Sequence, residues 1–434
     1  MIESALNNFS DKLFLYLTGK SKDPRSLLVK KHNENFHTHG DYSFPNSLKS
    51  WHEYVDCDQE ADHETLTLLQ AIGKECKDII NESKKWDLAV QKAKEEKGRI
   101  YLFLDRPKAI RAGLAEGLRN NAELSEKLNE SASEVQLDTS CDKESDLTSL
   151  RAKYVCNVVK KLCTLSNVNS PVIVTSKSST TCEGCHRVLC GTVLNSKTGA
   201  KEVTIRAEDF IRLRQDEMTL IAQHKYGVRV STDTKWKEFL SHLGESAASF
   251  ELLQTKPSGA VKINFDCSAG SSKGASFILY NCARLETIIR TYNDKVSDGT
   301  YPELPPFDEV DFSLLVQEDE WHLIFNYILG LPSLLNNSVE FNNRVCEFRP
   351  HQICSYLCSM VRIFSQYYRK TRILVCTLLQ KLSTDTRRVY RRTKSPAPAA
   401  GGRRPRNRRA AGPLITSWKK TGMIQVSSNV FRKS

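Results

Sequence analysis

The sequence has no apolar run able to cross a bilayer. Its longest stretch without Asp, Glu, Lys or Arg, Trp321 to Val339, is interrupted by Asn326, Gly330, Pro332, Asn336 and Asn337 and reads as a helix and a turn. Positive charge is missing where an export signal needs it: Met1-Ile2-Glu3-Ser4 carries an acid, and no apolar segment follows. Without that signal the 14 cysteines are not expected to form a disulfide framework; many fall at helical core positions, and free thiols in the cytosol or nucleus are expected. Residues 386–434 lack Asp and Glu entirely yet hold fourteen basic residues, which account for the formal charge of +12 on a chain of 434 residues. The first 385 residues, with 49 basic and 51 acidic groups, are close to neutral. A composition of 40% hydrophobic and 26% charged residues excludes a fully disordered or fibrous chain.

Periodicity divides the chain. Leu6, Phe9, Leu13 and Tyr16 recur at helical spacing, as do Leu69, Ile72, Cys76 and Ile79, and Arg99–Leu104 is a short apolar run expected to form a buried strand. Residues 1–118 therefore read as an α+β domain. Residues 119–150 are rich in acids and poor in aromatics, and read as a solvated linker. In residues 151–255, Val155, Val158, Val159 and Leu162 mark a helix, Pro171–Thr175 a strand, and Phe210, Leu213, Glu217, Leu220 and Ile221 a further helix, a short α/β segment. Residues 256–382 read as all-helical. Ile278, Cys282, Leu285, Ile289 and Tyr292 line one face of a helix, with Tyr280, Arg284, Thr287 and Thr291 opposite. Pro350 opens another helix with Ile353, Leu357, Met360, Phe364 and Tyr367 on one face. The fold class expected is α+β in the N-terminal and middle regions with an all-α C-terminal bundle, and residues 383–434 form a disordered basic tail.

Two motifs carry competing readings. Cys182-x-x-Cys185-His186, with Cys190 after it, contains strings found in zinc and c-type haem sites. Haem attachment needs export and a distal ligand, and zinc needs a fourth ligand at matched spacing; a Ser/Thr-rich loop with free thiols is the simpler reading, and no metal is assigned. Cys354 and Cys358 read as packing residues. The run Arg403–Arg409 has the composition of a nuclear-localisation or RNA-phosphate signal, although such runs are common in solvated tails.

Three ordered blocks carry a family resemblance. Ala275–Arg284, followed by Leu285 and Ile288, resembles the helix that opens the DALR anticodon-binding domain of arginyl-tRNA synthetases, with Phe277, Tyr280, Ala283 and Arg284 matching its aromatic-x-x-Tyr-x-x-Ala-Arg core. Glu320–Pro332 is similar to the Glu-x-x-Leu-Ile…Leu-x-x-Pro segment. Arg349-Pro350, Ser355-Tyr356-Leu357, Phe364, Tyr367-Tyr368 and Arg372-Ile-Leu374 are similar to the run that follows. Upstream, Leu243–Ala247, Lys262–Asp266 and Cys190–Gly199 resemble the linking and signature-loop segments, with Lys197 and Lys201 left of a Lys-rich ATP-binding turn. The His-x-Gly-His turn of the catalytic domain is not matched; the nearest string, His37-Thr38-His39-Gly40, has a different order. Val375–Leu382 begins a helix, but the long closing helix of the domain is replaced by the Arg/Pro tail.

The resemblance implies a non-catalytic relative that kept the tRNA-holding module. It implies recognition of arginine tRNAs, no cofactor of its own, and service as an adaptor. The partner would be a methyltransferase-like enzyme that uses S-adenosylmethionine to make 3-methylcytidine in the anticodon loop. Tyr280, Asn281, Arg284, Arg362, Arg369 and Arg372 are the candidate tRNA contacts: aromatic rings stack on unstacked bases, and arginines reach phosphate. Against this stands a structural role, with Tyr280 half-buried in the core and Arg284 paired with a carboxylate. A divergent arginyl-tRNA synthetase, and a nuclear protein that binds nucleic acid through its tail, are the alternative functions. The expected location is cytoplasmic, with nuclear entry through the tail.

Overall fold

The computed structural model describes residues 2–21, 27–55, 66–129, 134–177, 184–226, 234–265, 273–341 and 346–371. The N-terminal unit opens with α1 (Ala5–Thr18), whose start is capped by the Ser4 hydroxyl accepting from the Asn7 N–H. Next come β1 (Lys30–Lys31), α2 (Phe36–His39), β2 (Tyr42–Pro45), α3 (Leu68–Ala71), α4 (Cys76–Ser83), β3 (Val90–Glu96), β4 (Arg99–Leu104) and α5 (Arg106–Asn129). The strands form one antiparallel sheet in the order β1–β2–β4–β3. Leu6, Phe9, Leu13, Phe14 and Leu17 of α1 are buried in the same core as Tyr42, Phe44, Ile100 and Leu102 of the sheet, each contributing about 1.5–3 kcal/mol by leaving water. The spacing Leu69–Ile79 does not give one helix. Gly73, at φ 63°, separates α3 from α4 because a left-handed residue cannot continue a right-handed helix.

The described parts of the segment expected to be a solvated linker, residues 119–129 and 134–150, are structured. α5 runs on to Asn129 and buries Asn120 and Leu124; β5 (Val135–Leu137) follows, Cys141 is fully buried, and α6 (Asp146–Leu165) begins with Leu147 and Thr148 in the interior. The few apolar residues of this acidic stretch are enough because they fall where the chain touches the core. β6 (Val172–Thr175), β7 (His186–Leu189), β8 (Val193–Asn195), α7 (Ala207–Tyr226), α8 (Thr234–Leu253) and β9 (Val261–Ile263) complete the middle region. β5, β6 and β7 make a parallel sheet, and β8 pairs with β9 in parallel. On α7 the buried face is Phe210, Arg214, Glu217 and Met218, while Leu220 and Ile221 are exposed, a rotation from the expected apolar stripe. Arg214 can lie inside because Glu251, Glu217 and the Asn264 carbonyl accept from it at 2.7, 2.9 and 2.8 Å.

Arg151 on α6 is also fully buried, and its partners are carbonyls. Its guanidinium donates to Leu252 O, Gly191 O, Gly259 O and Lys256 O at 2.7–3.1 Å, joining the end of α8 to the approaches of β8 and β9. Gly191 is required there: a Cβ on it would lie 2.5 Å from the Gly259 oxygen.

The C-terminal region holds α9 (Lys273–Ser297), α10 (Glu318–His322), a π-helical turn at Leu323–Ile328, α11 (Leu331–Asn337), the hairpin β10 (Val339–Phe341) and β11 (Cys346–Phe348), and α12 (Pro350–Lys370). Helices dominate as expected, with the small β-hairpin added. Two cores meet on this region. Ile288, Ile289, Trp321, Phe325, Phe364 and Tyr367 are packed into the core of the N-terminal sheet. Ala275, Ile278, Ile353, Leu357 and Val361 join the core of the middle region. α12 thus contributes its C-terminal half to one core and its N-terminal half to the other.

Polar bonds reinforce the first junction. The Trp321 indole donates to Asp41 at 2.7 Å, and Lys31 donates to Asn326 at 2.7 Å beneath the π-turn. Burial pushes the Asp41 carboxyl up to about 6 and the Lys31 amine down to about 8.

Candidate nucleic-acid interface

α9 and α12 lie side by side, and five of the six candidate residues fall on them within the described chain. Arg284 is half-buried. Its Nη2 donates to the Tyr280 hydroxyl at 2.6 Å and its Nη1 to Asn281 Oδ1 at 3.3 Å. Its Cζ lies 4.5 Å from the ring centre of Tyr280 and 4.3 Å from that of Tyr368 on α12. Among the described residues no carboxylate pairs with Arg284, so it is not the ion-pair partner that a structural role required. Phe277, one turn before Tyr280, is exposed at 39% and extends the aromatic stripe. Arg362 and Arg369 are exposed two turns apart on α12, the second donating through Nε to Ser365 O at 3.3 Å, and neither meets a carboxylate among the described residues.

Asn281 does not fit the expectation of an RNA contact. It is fully buried, donates to Phe277 O at 2.8 Å and accepts from Arg284, so it orients the arginine from within. Arg372 lies outside the described residues, as does the tail from residue 383 with the helix expected at Val375–Leu382.

A second surface escaped the sequence reading. Along β4, Ile100, Leu102 and Leu104 point inward, while Arg99, Tyr101 and Phe103 are half-exposed on the other face. Across the antiparallel pair, Lys94 stands opposite Tyr101 and Lys92 opposite Phe103, with the Lys92 ammonium 5.5 Å from the Phe103 ring centre. His39 stacks on Tyr101 with centroids 6.0 Å apart, and Arg99 and His32 both reach the Ser43 hydroxyl, at 3.1 and 2.9 Å. Burial above all, with Lys30, His39 and Arg99 adding to it, pushes His32 down to about 4. Two rings on a sheet face beside Lys92, Arg99 and the Lys94–Glu96 ion pair offer surfaces of the kind on which unpaired bases stack. The signal was the alternation of Arg99-Ile-Tyr-Leu-Phe-Leu104, which separates an inward from an outward face where an undivided apolar run was assumed.

The synthetase-like remnants hold no comparable arrangement. Lys201 is paired with Glu144, and Asp138, just beyond β5, accepts from the Thr175 and Ser140 hydroxyls. His37–Gly40 lies in and after the short α2 of the N-terminal unit, between β1 and β2 of the antiparallel sheet in sequence. Among the described residues no group of three or more His, Cys, Asp or Glu could hold a metal ion, and no helix is long and apolar enough to cross a membrane. Cys185 is disulfide-bonded, so the free-thiol expectation fails there. Cys182 is outside the described residues, and the Cys190 thiol is buried and pushed up to about 11 by burial.

Residues 278–377 match the family model of the DALR anticodon binding domain, a stretch that includes most of α9 and all of α12, the helices that hold Arg284 and Tyr368. The fold around them is that of arginyl-tRNA synthetases: the chain resembles the Thermus thermophilus enzyme at a TM-score of 0.52 and 10% identity, covering 98% of each chain. The resemblance to the Plasmodium falciparum enzyme has a TM-score of 0.53 at 9% identity, covering 100% of this chain and 99% of the other. At such identities the likeness concerns fold alone. In sequence, the chain is 34% identical over 196 residues to DALR anticodon-binding domain-containing protein 3 of Danio rerio, covering 43% of this chain and 34% of that protein. It is 31% identical over 191 residues to the Rattus norvegicus protein of the same name, covering 43% and 35%. The chain therefore spans about a third of the length of the curated relatives it matches.

Proposed function

We propose that this protein is a non-catalytic tRNA-binding adaptor. It recognises arginine tRNAs and presents them to a partner methyltransferase that forms 3-methylcytidine in the anticodon loop, the S-adenosylmethionine being held by that partner. The observation that carries the reading is the Arg284 group in the DALR-matching segment: an arginine in contact with two tyrosines and with no carboxylate partner among the described residues, flanked on α12 by the exposed Arg362 and Arg369. Cations without counter-charges on a surface are what phosphate neutralisation needs. The Tyr101–Phe103 sheet face supplies a second contact to single-stranded parts of the same tRNA. The adaptor works in the cytoplasm. Binding of arginine tRNAs and of other tRNAs, measured with and without the methyltransferase, tests it; equal affinity for all tRNAs in every condition refutes an identity-reading role.

The whole-chain likeness to arginyl-tRNA synthetases supports a second reading, a divergent synthetase. Arginine-dependent ATP–pyrophosphate exchange separates the two, and none is expected where Lys201 is already neutralised by Glu144.

A further inference from the structure

Resting on the reading of α9 and α12 as a tRNA-contacting face, we infer that Tyr368 is a positioning residue and that Arg284 meets RNA edge-on. It acts there as donor to a pair of coplanar acceptors. A guanidinium has two faces and a rim of N–H donors. One ring from each helix approaches Arg284, its Cζ 4.5 Å from the ring centre of Tyr280 and 4.3 Å from that of Tyr368, so the guanidinium is held by contacts from both helices. Part of the rim is used inside the protein, Nη2 by the Tyr280 hydroxyl at 2.6 Å and Nη1 by Asn281 at 3.3 Å. The remaining donors lie in one plane, and no carboxylate among the described residues takes them.

RNA offers two matching acceptor pairs: the non-bridging oxygens of a phosphate, and O6 with N7 of guanine. Both demand a planar fork held at a fixed tilt, which a lysine cannot provide. Tyr280 and Asn281 belong to the same helix as Arg284 and follow it wherever it moves. Tyr368 is the contact from the second helix, and it fixes the tilt of the plane relative to the rest of the face.

The test uses the full chain and synthetic anticodon stem-loops of an arginine tRNA, in anisotropy titrations. One stem-loop series carries 7-deazaguanosine in the loop, which removes N7; the other carries methylphosphonates, which remove a charged phosphate oxygen. Tyr368→Ala and Arg284→Lys each weaken binding of the unmodified stem-loop about 5- to 30-fold, and Tyr368→Phe, which keeps the ring, stays within about twofold of the parent. The parent loses affinity for one of the two modified series, which identifies the acceptor, and Arg284→Lys no longer distinguishes that series from the unmodified RNA. Parent-like affinity of either Arg284→Lys or Tyr368→Ala overturns the inference, as does indifference of the parent to both modifications. If Tyr368→Ala does not fold, the Arg284→Lys comparison decides. A parent that binds no tRNA refutes the function proposed for the face; a parent that binds while the variants are indifferent refutes only the edge-on geometry.

Discussion

Replacing Arg151 by methionine removes a charge that the fold has built around. The side chain is fully buried, and four carbonyls, of Leu252, Gly191, Gly259 and Lys256, accept from it. Exchanging a buried ion for a hydrophobe is often harmless when its partners leave with it. Here the partners are backbone oxygens at the end of α8 and beside β8 and β9, and they stay. Each forfeits a bond to a charged donor, worth about 1.5–3 kcal/mol, or about 6–12 kcal/mol in total. The recovered cost of desolvating the guanidinium, several kcal/mol, offsets part of this. A net loss of about 3–6 kcal/mol remains, a large fraction of the ~5–15 kcal/mol that holds a domain together. Urea denaturation followed by circular dichroism measures it. Arg151→Lys, with a compact ammonium able to reach only some of the carbonyls, falls between parent and Arg151→Met. A midpoint for Arg151→Met equal to the parent's would refute the reasoning, because it would mean that the four carbonyls find other partners without cost.

Three further outcomes follow from the same structure. Glu116, which accepts from the Ala5 N–H at 3.2 Å, is pushed by burial from 4.5 up to about 7, so its folded-state value lies above its unfolded one. Its stabilising contribution is full below about pH 4.5 and is lost as pH rises through about 7, up to about 3 kcal/mol; Glu116→Gln therefore flattens the decline in urea stability between pH 5 and pH 8. Tyr101→Ala with Phe103→Ala removes two stacking surfaces on an outer sheet face and lowers tRNA affinity by about 1–3 kcal/mol for each base lost, with the melting temperature nearly unchanged; full retention of affinity removes the sheet from the interface. Trp321→Ala empties a site between the N-terminal sheet and the C-terminal helices and takes the indole donor from Asp41 Oδ1, destabilising the protein by about 3–5 kcal/mol in calorimetry.

Helical spacing was the most legible feature of the sequence. Val155–Leu162 and Ile353–Tyr367 repeat every three or four residues over several turns, and α6 and α12 bury those residues or pack them at the edge of a core. What failed had local competition. Gly73 cut an apolar series in two, because one left-handed residue outweighs the hydrophobic pattern around it. The acidic stretch from 119 to 150 looked solvated since composition averages over residues, whereas Leu124, Cys141 and Leu147 are buried one at a time. On the interface, Tyr280 and Arg284 could be named from a motif. Tyr368 was visible as part of a motif, but its contact with Arg284 joins residues 84 positions apart, and no spacing along one helix records that. Asn281 was misplaced for a related reason: its neighbours are exposed or half-exposed, and only the packing of α9 shows that this position turns inward.

The helices α9 and α12 cannot be lifted out as a cassette. Half of α12 is the wall of one hydrophobic interior and half the wall of another, so a fragment trimmed to residues 278–377 would carry two raw apolar surfaces into water. Its exposed Arg362 and Arg369 sit on a beam fixed at both ends by other parts of the protein. Variation far away, in the N-terminal sheet or beneath α6, reaches that beam without touching RNA. Weakened tRNA binding in such a variant reports on the supports of the reading surface as much as on the surface itself.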